Sequence, residues 1–218
     1  MTNNKKLITM SKTGVILALI LFFNLRINAQ QIVSKQLSFK EVLEYEQGLK
    51  SKNITEEEED NGDLVIYTKT NTFYPFSGSF GAPLEFSRTV SDFHITPQTA
   101  YYFDSQKKKL HFFEMSWDAQ MNLNVFNRSY LTKLDKVLKE ESTKKSLYKS
   151  FYIKLNKSVT AIFGNPTKRL KVKDWEASNA DGWRYEWTTD SYKVTTQLRI
   201  PKEGFVGFIY IKYTIAWK

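Results

Sequence analysis

Few side chains in this 218-residue sequence are of a kind that does chemistry, and cysteine is absent. The only two histidines are His94 and His111. A zinc site normally takes about four ligands, so carboxylates would have to supply the rest. Neither histidine has a partner at ligand spacing, so both are expected to be structural, with His111 sharing a strand face with Phe113 and Met115. Glu85, Glu114, Asp118 and Glu186 fall on or near strand-like segments. A pair of them could cleave glycosidic bonds, one acid protonating the leaving oxygen and the other acting as nucleophile or base. That requires a separation of about 5 to 9.5 Å, which a sequence does not reveal. Nucleophilic catalysis has no G-x-S-x-G elbow to work from, and no S-x-x-K with its companion motifs. The serines of SGSFGAP, residues 77–83, lack a strand-to-helix turn around them. EEEED, residues 56–60, has neither the spaced ligands nor the mid-loop glycine of a calcium loop and reads as a solvated loop. The balance leans away from an enzyme, with no catalytic residue, no metal site and no cofactor expected.

AIFGNPTKR, residues 161–169, places a glycine and a proline before Thr167, Lys168 and Arg169. A phosphate loop needs two glycines with Lys-Ser/Thr behind the second, between a strand and a helix. Here a single glycine follows a helical pattern, at the negative end of the dipole, where an anion is repelled. Gly164 with Pro166 two residues beyond is the expected helix terminus, and Lys168 and Arg169 are placed to offset its exposed carbonyls. FGNP followed by the WRY of Trp183 to Tyr185 resembles the small SmpA/OmlA-type outer-membrane assembly lipoproteins, over about a quarter of the chain. That likeness implies a structural role in envelope assembly. The lipid-bearing cysteine of those proteins is missing here.

Aromatic residues are the most suggestive class. Trp175, Trp183, Tyr185 and Trp187 cluster near one another, and aromatic faces stack on sugar rings. Tyr185 and its flanking tryptophans alternate with Arg184 and Glu186 and are expected in the core. Trp175, in a charged stretch, is the expected exposed residue and the candidate binding residue.

These residues must be held by helices and strands. LSFKEVLEYEQGLK, residues 37–50, reads as a helix opened by a Ser38–Glu41 capping box, with Phe39, Val42, Leu43 and Leu49 on one face. Strand texture runs from Leu64 to Trp117, broken by Pro75, Gly78, Gly81 and Pro83, and it ends in a hairpin turning at residues 104–108. Leu131, Leu134, Val137 and Leu138 stripe a second helix. After a weak point near residues 142–144, Leu147, Phe151, Leu155, Val159 and Ile162 stripe a third. WRYEWT, VTTQLRI and FIYIKYTIAW are three closing strands, the last burying Ile209, Ile211, Tyr213, Ile215 and Trp217. The fold class predicted is α+β, an antiparallel sheet packed against amphipathic helices. Phe113, Met115 and Trp117 recur as Tyr213, Ile215 and Trp217 one hundred residues later, which raises a helix-plus-sheet repeat with halves 30–120 and 125–218.

Residues 1–29 carry Lys5, Lys6 and Lys12, the apolar run GVILALILFF at 14–23, and a small residue, Ala29, at the expected cleavage point. This pattern is a secretory signal peptide, too short to span a membrane, and a single exported domain, 30–218, follows it. The leader holds four of the 32 basic residues and none of the 23 acids, so the net charge falls from +9 to +5 on cleavage. Without cysteine the domain has no disulfides and is not a lipoprotein, so a packed core must stabilise it. The expected setting is the periplasm or the cell exterior of a bacterium. Nucleic acid is not an expected partner, since no dense basic patch stands beside stacking aromatics. The function expected is a non-catalytic binding or interaction module of the cell envelope, meeting a protein, a glycan or an anionic polymer. The alternatives are a carboxylate-based hydrolase of envelope glycans and a structural assembly factor.

Overall fold

The computed structural model describes residues 32–55, 64–66, 78–80, 83–88, 95–104, 109–118, 130–171, 179–202 and 208–218. The leader with Ala29, the acidic run, His94 and Trp175 lie outside them. The chain divides into residues 1–33 and 34–218, and every element named below belongs to the second unit.

Alternating sequences at β4 (Leu84–Ser87), β5 (Gln98–Phe103), β6 (Leu110–Asp118), β8 (Ala180–Thr188), β9 (Tyr192–Pro201) and β10 (Tyr210–Trp217) form strands. With β1 (Lys52–Asn53) and β7 (Lys168–Lys171) they make one eight-stranded antiparallel sheet in the order β1-β4-β5-β6-β10-β9-β8-β7. β2 (Leu64–Ile66) and β3 (Gly78–Phe80) pair separately. The fold is α+β, mostly sheet with a few helices.

The register assigns side chains to the two faces. Tyr101 pairs with Phe113, Phe113 with Ile215, Ile215 with Val194 and Val194 with Trp187, which puts them in one row on one face. In the next row Thr99, Met115, Tyr213, Thr196 and Tyr185 share that face. Phe113, Ile211, Tyr213, Ile215 and Val194 have no exposed surface, so this is the core face. The opposite face carries the alternate residues. One row there runs Glu85, Ala100, Glu114, Thr214, Thr195, Glu186 and Lys168 across seven strands.

Helix α1 (Phe39–Gly48) packs on the core face, and its capping box is formed: Ser38 Oγ accepts from the Glu41 amide while the Glu41 carboxylate accepts from the Ser38 amide. Val42 is buried as the period predicts, but Leu43 is exposed and the buried partner at the next turn is Glu46. The reason is Arg88. Its Nε donates to Glu46 Oε1 at 3.0 Å, its Nη2 donates to Tyr101 Oη at 2.8 Å, and the Tyr101 hydroxyl donates to Glu46. A charge buried with such partners is tolerated where an isolated one is not.

Helix α2 (Tyr130–Thr143) breaks at Lys144 before α3 (Lys145–Phe163), where the weak point was expected. Glu141 near the end of α2 is buried, and it accepts hydrogen bonds from the Tyr148 hydroxyl and the Ile209 amide, which ties both helices to the entry of β10. α3 buries Leu155 and Val159, but its remaining buried positions are Tyr148, Tyr152 and Asn156. Leu147 and Ile162, expected on the buried stripe, are exposed. The stripe is turned toward the tyrosines because their hydroxyls find partners inside: Tyr152 Oη donates to Trp183 O at 3.1 Å.

Candidate functional site

Turning the α3 stripe toward Tyr148 and Tyr152 leaves a flank of the helix unsupported by sheet. Ile153 on that flank is 56 % exposed. Between the flank and the sheet lies a cleft of about 660 Å³. The helix contributes Lys149, Ile153, Asn156, Lys157 and Thr160, spaced so that one side of α3 faces the opening. The sheet contributes Trp183, Tyr185 and Leu198.

The floor is fixed by polar anchors. Asn156 is buried. Its Nδ2 donates to Tyr152 O at 2.9 Å and its Oδ1 accepts from the Thr196 hydroxyl, so helix and sheet cannot slide apart. The mouth is cationic. Lys149 Nζ stands 6.0 Å from the Trp183 ring centroid, and Arg169 Cζ stands 5.4 Å from that of Tyr185. Arg169 and Lys171 on edge strand β7 pair with Tyr185 and Trp183, so two cations flank the rings from the strand side and Lys149 and Lys157 from the helix side. Among the described residues no carboxylate lines the cleft. Apolar walls with a rim that is cationic among the described residues suit an apolar molecule that carries negative charge.

Trp187 is buried in the core as expected, but Trp183 and Tyr185 are half-exposed and line the cleft. The difference is position: Trp187 lies under the end of α3, where its Nε1 donates to Gly164 O at 2.8 Å, while Trp183 lies beside the flank. Gly164 ends α3 with φ 79°, ψ −162°, and its amide donates to Thr160 O. The expected helix terminus is therefore present at FGNP. The indole of Trp187 takes up the Gly164 carbonyl, and Arg169 lies over Tyr185.

The carboxylates are spread over the opposite face. Glu114 and Glu186 share a row but lie three strands apart, about 14 Å at the usual strand spacing. Glu114 is engaged by Lys212 at 2.8 Å and Glu186 by Arg184 at 2.7 Å. Glu85 is two strands from Glu114, about 10 Å. His111 is half-exposed on β6. Among the described residues no three histidine or acidic side chains group as metal ligands, and no helix is long and apolar enough to cross a membrane.

Lys149, Ile153, Asn156 and Lys157 are cleft residues that the sequence reading missed. Their signal is present: α3 carries apolar residues at Leu147, Ile153 and Ile162 besides those its buried stripe needs. No family model, curated protein or solved structure matches this chain.

Proposed function

We propose that this chain is an exported, non-catalytic binding module of the bacterial cell envelope whose cleft takes a single-chain amphiphile with an anionic head. The observation that carries the reading is an apolar cleft walled by Ile153, Trp183, Tyr185 and Leu198, with lysines on its helix side and no acid among the described residues of its lining. The chain would lie against Trp183 and Ile153, and its head would meet Lys149, Lys157 or Arg169. Export rests on the leader read at residues 1–29, and mature protein should begin at Gln30, as N-terminal sequencing of secreted material would check.

Two helix-plus-sheet halves form part of this reading. In chain order a helix precedes β1, β4, β5 and β6, and α2–α3 precede β7, β8, β9 and β10. The sheet order is symmetric about the antiparallel β6·β10 pair, which is what duplication of a helix and four strands would produce.

The test is a tryptophan-fluorescence titration with octanoate, decanoate and dodecanoate, and with dodecyltrimethylammonium as the cationic counterpart. Each methylene buried is worth about 0.8 kcal/mol, so Kd should tighten about fourfold per carbon. The carboxylates should outcompete the cation of equal chain length. Affinity independent of chain length, or a preference for the cation, would sink the proposal.

A further inference from the structure

Exposed lysines on a helix are ordinarily interleaved with acids that balance them. Lys40 of α1 pairs with Glu44 at 3.7 Å, and Lys144 pairs with Glu140, each over one helical turn. Helix α3 breaks this pattern. It holds Lys145, Lys149, Lys154 and Lys157 and no acid at all. Lys149, Lys154 and Lys157 are exposed, and none has an acid three or four residues away. Lys154 and Lys157 instead stand one turn apart, where like charges repel. The positions of β7 on the cleft side of the sheet add Arg169 and Lys171, both exposed. Residues 30–218 keep 28 of the 32 basic residues and all 23 acids, so without these six cations their balance would be −1. The excess charge is therefore gathered beside the cleft. Asp181, exposed on the same face two residues before Trp183, is outnumbered there, and Asp174 and Glu176 lie outside the described residues.

An apolar group stands among these charges. Lys149, Ile153 and Lys157 follow at steps of four, so they lie one above another on a single strip of α3. Ile153, 56 % exposed, thus projects between two lysines at the cleft mouth, with half-exposed Trp183 across the opening. Binding an anionic polymer needs the charges alone and leaves the isoleucine in water. A lipid surface uses all three kinds of side chain. Cations meet anionic headgroups, the aliphatic group enters the acyl boundary, and the indole sits at the interface. Lysine stems suit that layer, since they lie along apolar surroundings while the ammonium stays among the phosphates.

We infer that this face of α3, with Arg169 and Lys171, docks on the surface of a bilayer containing anionic phospholipid, its cleft mouth toward the lipid. The inference rests on the reading of the cleft as the seat of an anionic amphiphile and names the source of that amphiphile, a single-chain lipid of the same bilayer.

The experiment sediments secreted protein, its N-terminus checked at Gln30, with vesicles of phosphatidylcholine alone or mixed with phosphatidylglycerol. Partition should be about tenfold or more stronger on the mixed vesicles, and about 1 M salt should release the protein. Lys154 does not line the cleft, so Lys154→Glu should weaken vesicle binding about tenfold or more and leave dodecanoate affinity unchanged. Ile153→Ser should weaken vesicle binding about fivefold. Equal partition on the two vesicle types, or full binding by Lys154→Glu, would overturn the inference. Full binding by Ile153→Ser would also overturn it, because charge alone would then hold the protein, as on an anionic polymer. Protein that takes dodecanoate but ignores both vesicles would lose the docking face and keep the cleft reading. Protein that binds the mixed vesicles but not dodecanoate would keep the docking face and lose the cleft reading.

Discussion

Glu46 and Arg88 form the least expected contact in the core, with side chains 0 % and 2 % exposed. Burial alone would raise the Glu46 carboxyl, but hydrogen bonds from Arg88 and its charge, with Ser51 and Tyr101, hold it below its ordinary value. A lowered carboxyl stabilises the fold above pH 4.5, its ordinary value, and that contribution is lost as pH falls through the folded-state value. Glu46→Gln leaves a buried guanidinium without its carboxylate and should cost about 3 to 5 kcal/mol in denaturant melts at neutral pH. The variant should also lose this part of the acid dependence; an unchanged acid limb would show that Glu46 does not set it. Glu141 works with the opposite sign: burial pushes its carboxyl up against the hydrogen bonds from Tyr148 and Ile209. Its contribution is full below pH 4.5 and declines as pH rises through the raised value, so Glu141→Gln should flatten that decline. Neither acid could be singled out from sequence. A glutamate in a helix pattern reads as solvated, and what buries Glu46 is an arginine 42 residues away. In the cleft, Trp183→Ala should weaken dodecanoate binding about tenfold or more. Because Trp183 is half-exposed, its melting temperature should move little.

At the scale of elements, periodicity located the helices and strands better than it oriented them. Strand alternation in residues 209–217 assigns the buried face correctly because the period of two leaves a single choice. The α3 period leaves more room, since apolar residues occur on two sides of the helix and tyrosine counts as either polar or apolar. The two sides separate by mutation. Leu155→Ala removes buried methyls and should cost about 2 to 5 kcal/mol, whereas Ile153→Ala should stay within about 0.5 kcal/mol. Equal losses for the two would mean that Ile153 faces the core and no cleft exists. The end of the same helix offers a cleaner case. A Cβ added at Gly164 would meet nothing within 4 Å, so Gly164→Ala tests backbone strain alone at φ 79°. That region is almost confined to glycine, and the substitution should cost about 1 to 3 kcal/mol. A neutral result would mean that the chain leaves α3 by a different path.

The whole molecule turns on the pairing of β6 with β10, which joins the first half of the sheet to the second. The echo of Phe113, Met115 and Trp117 in Tyr213, Ile215 and Trp217 hinted at related strands. It could not show that they lie side by side, with Met115 opposite Tyr213 and Phe113 opposite Ile215, because antiparallel pairing reverses the order. If the halves are duplicates about this seam, a fragment covering residues 125–218 would keep α2, α3 and β7 to β10 but expose the β10 edge with Ile211, Tyr213 and Ile215. A long apolar edge of that kind seeks another strand. The sheet is antiparallel at the seam, so a second β10 can occupy the place of β6 across a true two-fold axis. The fragment should therefore run as a dimer in size-exclusion chromatography with light scattering, and Tyr213→Lys should disperse it to monomer or unfold it. A folded monomeric fragment would show that β10 needs no partner, and would remove the symmetric reading of the sheet.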